Sequence, residues 1–344
     1  MTKEGRICVL IRGIHTSLAQ IRGDKCYTHE MSIFLSHSSA LEYWRTHRMI
    51  AEDSGGRPRK HSLPVKPPAT ESVRRTGLSL PVHIMISNPK ARRISLVMKQ
   101  HVCTDEAPAG CFIKAAEGLW VSSPEFCFLQ MAGALSLARL IELGYEICGL
   151  YSIPTADDTS PPERGFYNRN PLTSVKKLNA FIARVPGIRG NQKAKRALRY
   201  ILDNSASPME TKLSILLTLP YLLGGYGLIA PELNYRIIPS KTARKFTSKT
   251  SYSCDLFWPE YNLAVEYDSA QHHSGSEQIN SDAKKKNSLT LMGITVITVT
   301  KQQLYSTVEF EKVAIILADC LGKRLKYKKS IFLLRTKNYA SSFF

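Results

Sequence analysis

Apolar and polar positions alternate with a period of two on both sides of Pro259-Glu-Tyr-Asn262. That pattern predicts two strands joined by a four-residue turn. Trp258 then faces Leu263, and Asp255 falls opposite Glu266. Strict alternation puts Cys254, Leu256, Trp258, Leu263, Val265 and Tyr267 on an apolar core face. It puts Ser253, Asp255, Phe257, Ala264, Glu266 and Asp268 on the other face.

Around this hairpin the periodicity predicts one unit over 205–322. Ser207-Pro208-Met209-Glu210 opens a helix with a cap, a proline and an early acid, and Leu213, Leu216 and Leu217 supply its core side. A strand follows at 233–238, then the hairpin, a helix over 277–292 ended by Gly293, a β-branched strand at 294–300 and a helix at 308–321. A right-handed crossover through the 277–292 helix lays the last strand parallel to a hairpin strand. The expected class is α/β, with a C-terminal αβββαβ core and a mixed α+β accessory domain before it.

Upstream the pattern is less regular. Residues 1–51 form a segment of uncertain fold, with helical character at 41–49. The polar, basic, turn-rich stretch 52–77 reads as a loop or linker. An accessory α+β domain is expected over 78–153, with strands at 82–86, 94–98 and 119–122. Ser123-Pro124-Glu125 starts a helix running toward Gly149 in two pieces around Gly133. A second loop spans 154–171, and a basic helical connector spans 172–204, with helices at 175–184 and 193–202. The uncharged stretch 213–231 is interrupted by Pro220, Gly224, Gly225 and Gly227, which favours a buried helix and a turn over a membrane span.

Charge changes the picture. The chain has 344 residues and a formal net charge of +19, which makes a polyanion, nucleic acid first, the expected partner. Its eight cysteines are scattered with no C-x-x-C pair, so no cysteine zinc site is expected and a reduced compartment is. The opening residues lack a long apolar core, so no secretory leader is expected and the cytoplasm is the expected location.

Like charges opposite one another weaken a sheet. A fold that gathers Asp255, Glu266 and Asp268 therefore points to a cation, and oxygen-only ligands suit Mg²⁺ or Mn²⁺. Each acid alone has an ordinary explanation: a wet strand edge, or for Glu210 complementarity to a helix dipole. Asp282 with Lys285 or Lys286 is an ordinary helix-surface pair. Basic residues flank the hairpin, with Lys241, Arg244, Lys245 and Lys249 before it and Lys284 and Lys286 after it, as candidate phosphate contacts. The tail 323–344 interleaves Lys and Arg with apolar residues and reads as a strand-tracking arm or a solvated terminus.

These elements, with acids on the first helix and the hairpin, resemble the PD-(D/E)XK nuclease superfamily, which implies a restriction-endonuclease-like core. The run Glu266-Tyr-Asp268-Ser-Ala-Gln-His272, then Asp282-x-x-Lys285-x-x-x-Leu289, then Gly293-Ile-Thr-Val, resembles domain-of-unknown-function family 559. That family is related to very-short-patch repair endonucleases. Ser269 stands where the family pattern has Gly, and Lys285 where it has Arg. The resemblance implies that Asp255 and Glu266 hold the metal directly. It implies that Asp268 binds a second metal or accepts a proton, and that Glu210 completes the shell through a water. His272 is then an acid, base or phosphate contact, and Lys285 steadies the phosphate. Residues 80–150 loosely resemble regions preceding nuclease-like domains in abortive-infection antitoxin-type proteins, which implies a DNA-binding or regulatory part. The expected function is a metal-dependent endonuclease acting on DNA, in repair, phage defence or a toxin-antitoxin pair with a protein partner. The alternative is a non-catalytic nucleic-acid-binding regulator on a degraded nuclease fold.

Overall fold

The computed structural model describes residues 32–47, 61–104, 107–153, 169–245, 247, 249–268 and 276–325. Its class is α/β, with two mixed sheets. The first is built from β1 (Ile33–Leu35), β2 (Val82–Ile86), β3 (Met98–Val102), β4 (Phe112–Ala116) and β5 (Leu119–Ser122). Its strands lie in the order β3-β2-β1-β5-β4, with β1 antiparallel to β2 and parallel to β5. Helix α1 (His37–Thr46) packs on this sheet and short helix α2 (Thr70–Arg74) precedes β2.

Three expectations shift here. The strand expected at 94–98 lies at Met98–Val102, and Ile94 and Leu96 are exposed loop residues. Apolar β-branched composition without a partner edge does not make a strand. The stretch 61–77 belongs to the unit rather than linking units, because Leu63 and Val73 are buried in its core. Strands β1 and β4 go beyond what the pattern predicts; β1 has only three residues, too few to show alternation.

Four helices follow: α3 (Pro124–Ala132), α4 (Leu137–Ile147), α5 (Val175–Arg184) and α6 (Asn191–Leu198). Ser123 Oγ accepts from Phe126 N at 3.2 Å and Pro124 occupies the first turn, as the sequence predicts. Ser136 and Ser174 cap the next two long helices in the same way.

The C-terminal unit contains α7 (Pro208–Thr218), β6 (Glu232–Ile237), β7 (Tyr252–Trp258), β8 (Leu263–Asp268), α8 (Ser276–Leu291), β9 (Thr295–Thr300), α9 (Lys301–Tyr305) and α10 (Thr307–Cys320). Its sheet order is β6-β7-β8-β9. Trp258 pairs with Leu263, and β9 runs parallel to β8, both as predicted. The turn works because Asn262 takes the left-handed conformation at φ 47°.

Helix α7 joins the units. Tyr145 OH on α4 lies 3.0 Å from Ser214 Oγ, and Tyr151 OH lies 2.9 Å from Thr211 Oγ1, both in buried surroundings. One apolar core runs continuously from the first sheet through these helices to α10. The uncharged stretch after α7 turns back at once: a Cβ on Gly225 would sit 2.3 Å from the Leu219 carbonyl oxygen, so the turn needs glycine. No helix among the described residues is long and apolar enough to cross a membrane.

Candidate metal-carboxylate site

The hairpin strands part where the acids sit. Paired residues of β7 and β8 run from Trp258↔Leu263 to Leu256↔Val265. Beyond that point β7 continues against β6, and β8 continues against β9. Asp255 stands at the fork, and its Oδ2 accepts the Tyr267 backbone N–H at 2.8 Å. A side chain there replaces a ladder bond that the diverging strands no longer make.

Alternation also breaks at this fork. Leu256, Trp258, Leu263 and Val265 join the main core as expected. Cys254 does not; it packs with Phe257, Ala264, Leu289 and Ile294 in a second cluster that involves α8. The flat face of three hairpin acids predicted from the sequence is therefore not formed. Glu210 enters from α7 and Glu266 meets a side chain of α8, while Asp255 lies at the fork between them.

Glu266 Oε2 accepts from Lys285 Nζ at 2.7 Å. Its other oxygen, Oε1, is buried and has no hydrogen-bond partner among the described residues. Burial of an unsatisfied carboxylate oxygen is costly, which makes this atom the clearest sign of a missing ligand. The Cys254 thiol is pushed up to about 12 by burial, by the Glu266 charge and by a weak thiol contact with the Glu266 carboxylate, which leaves Oε1 without a strong donor.

Glu210 is buried and held in place. Its Oε2 accepts from Ala206 N at 2.9 Å and from Asn234 Nδ2 at 2.7 Å, and its own N–H donates to Ser207 Oγ at 3.1 Å. The helix-start role that its position suggests is therefore real, and it coexists with a place in the cluster. Asn234 is a site residue that the motif reading misses. It adopts φ 50°, a left-handed conformation that asparagine tolerates better than most residues, and its Oδ1 accepts from Ser253 Oγ at 3.3 Å. An asparagine inside a predicted strand is the available signal.

The electrostatics tie the acids together. Burial raises Asp255 well above the ordinary aspartate range, and Glu210 and Glu266 add to the shift, against the Tyr267 N–H and Lys285. Burial also raises Glu210, with Glu266 contributing. For Lys285 burial opposes the charge, but Glu266, its hydrogen bond and Asp255 outweigh it and the net shift is upward. Among the described residues, the Glu266 charge thus acts on both other acids, and Lys285 is bonded to Glu266.

Asp268 ends β8 exposed, opposite Thr300, outside this buried group. His272 and Ser269 lie outside the described residues. Lys241, Arg244, Lys245, Lys249, Lys284 and Lys286 are all exposed. The turn Ala243–Lys245 packs against α8, and Lys249 Nζ donates to Ser281 Oγ at 3.0 Å, so the two basic runs share one side of the unit. Of the basic tail only 323–325 is described.

Comparison of the chain with protein-family models, with curated proteins and with solved structures finds no match in any of the three.

Proposed function

We propose that the C-terminal unit is a metal-dependent phosphodiesterase, an endonuclease acting on DNA. The observation that carries this reading is the buried, unpartnered Oε1 of Glu266, on a carboxylate whose charge raises both Asp255 and buried Glu210. The donor set fits a hard divalent cation, since it is all oxygen and carries excess negative charge. Asp255 and Glu266 would hold Mg²⁺ or Mn²⁺, with Glu210 behind them. When bound, such an ion supplies positive charge to the phosphate and lowers the pKa of an attending water.

The chain's own residues supply the rest. Lys285 fixes Glu266 through its 2.7 Å bond and brings an ammonium group to the place where charge develops on a phosphate oxygen. Asp268, exposed at the end of β8 two residues beyond Glu266, would offer a carboxylate to take the proton of the attacking water. Attack by that water on phosphorus forms one P–O bond while the leaving oxygen departs in line. The exposed lysines and arginines on the α8 side neutralise flanking phosphates.

Asp268 standing where the superfamily often has lysine favours a second reading, a binding-only regulator. Plasmid and oligonucleotide cleavage by the tag-free chain separates the two. The nuclease reading expects nicking with Mg²⁺ or Mn²⁺, none in EDTA, and a loss of about 100-fold or more in Asp255→Asn and Glu266→Gln with binding retained. DNA binding that persists in EDTA, with no cleavage of DNA or RNA under any divalent ion, establishes the regulator instead.

A further inference from the structure

We propose that His37, His83 and His101 form a second metal site, in the five-stranded unit, that takes Zn²⁺ or a similar borderline divalent ion rather than Mg²⁺. One ring nitrogen from each residue lies within 4.8 Å of the others, and all three residues are half-buried. His101 Nε2 is 3.1 Å from His83 Nδ1. The His37 ring stacks on His101 at 3.6 Å between centroids. Zinc–nitrogen bonds of about 2.0–2.1 Å in a tetrahedron require nitrogen pairs roughly 3.3 Å apart. The His83–His101 pair is already near that spacing, and metal binding requires the His37 ring to turn out of its stack on His101 so that its lone pair meets the same point.

The fold builds this arrangement from three separate elements. Parallel pairing sets His83 against Lys99 and Met85 against His101, so both histidines share one sheet face, one repeat apart. His37 comes from the start of α1, above that face. It has φ 50°, an uncommon and strained conformation for a residue with a Cβ. Two contacts hold it there: His37 N donates to Gln130 Oε1 at 2.9 Å, and Cys127 Sγ to the His37 carbonyl at 3.4 Å. Its Nδ1 lies 3.2 Å from buried Ser36 Oγ, a contact that engages that nitrogen, so the proposal assigns Nε2 as the ligand.

The protonation states suit a metal. Burial, with His83 and Lys99 nearby, lowers His37 to about 4; burial and the neighbouring histidines, Lys99 and Arg92 lower His101 to about 3. Burial and Lys99 also lower His83. Neutral imidazole is the ligating form, and imidazole suits Zn²⁺ and its neighbours better than Mg²⁺. Lys99 is exposed, so its flexible stem keeps the ammonium group in water. Three protein ligands leave one coordination position for water or an outside ligand, the pattern of an exchangeable rather than a closed site.

The test is calorimetric titration of Zn²⁺ into the tag-free full chain, with excess Mg²⁺ present to occupy the carboxylates. The expected result is one Zn²⁺ per chain and a higher melting temperature. His83→Gln and His101→Gln should each weaken that site by about 100-fold or more and abolish the thermal shift. Glu266→Gln should keep it. Metal-free melting of both histidine variants checks that they fold, and His83→Asn stands in if one does not. Zn²⁺ uptake unchanged in the histidine variants, uptake abolished only in Glu266→Gln, or no uptake at micromolar metal overturns the proposal.

Discussion

Lys285 Nζ and Glu266 Oε2 meet at 2.7 Å, joining α8 to β8 beside the fork at Asp255. Both side chains are mostly buried, at 23% and 19% exposure, so the pair is worth more than a surface bridge. Lys285→Ala leaves Glu266 with two unpartnered oxygens. The expected cost is about 1.5–3 kcal/mol, read as a lower urea midpoint at unchanged slope, together with loss of cleavage. Lys285→Arg should recover most of the stability and part of the activity. An alanine variant as stable as the parent contradicts the pairing.

Asp255 bears on pH dependence. Its folded pKa is raised by burial, Glu210 and Glu266. The folded state therefore holds a proton that the unfolded state has released, and metal-free stability falls as pH rises above the ordinary aspartate value of about 4 toward the raised folded value. Asp255→Asn keeps an acceptor for Tyr267 N but removes the charge. It should melt higher than the parent at neutral pH without metal, and the difference should shrink toward about pH 4. Melting curves across pH decide this; an asparagine variant that melts lower at neutral pH contradicts the account.

Asn234 positions Glu210 through a 2.7 Å bond. Asn234→Ala removes that donor and puts alanine at a left-handed φ, for a combined cost of about 1–3 kcal/mol. Asn234→Gly relieves the backbone but not the carboxylate. If positioning is the role, both variants should raise the Mn²⁺ concentration needed for cleavage, and only alanine should add the backbone penalty in urea melts.

Much of the C-terminal unit is legible in the sequence because local signals agree. The Ser207-Pro208 start, the Pro259–Asn262 turn and Gly293 each fix an element boundary, and one register follows from the turn length. The break at Asp255 is not legible, since alternation says nothing about where two strands separate. The family spacing singles out Lys285 among three consecutive lysines, but its bond to Glu266 is not legible, because the rotation of the helix against β8 sets it. The histidine cluster has no spacing signature at all. Its members come from a helix start and two parallel strands, and pairing alone brings them together.

The basic flank can be tested by salt. Lys249, Lys284 and Lys286 are exposed, the last two on α8 and the first bonded to Ser281 of that helix. Replacing Lys284 and Lys286 together by Gln should lower the slope of log affinity against log salt by about 1 for each phosphate that those lysines neutralise. Single-turnover cleavage at saturation should change little. A binding slope that does not move places the nucleic acid elsewhere.

The most direct measurement is Mn²⁺ titration of the full chain, followed by electron paramagnetic resonance, in the parent and in single charge-neutralised variants. The account predicts one Mn²⁺ site that is abolished in Asp255→Asn and Glu266→Gln, weakened in Glu210→Gln and kept in His101→Gln. Undiminished Mn²⁺ affinity in Asp255→Asn and Glu266→Gln would contradict it.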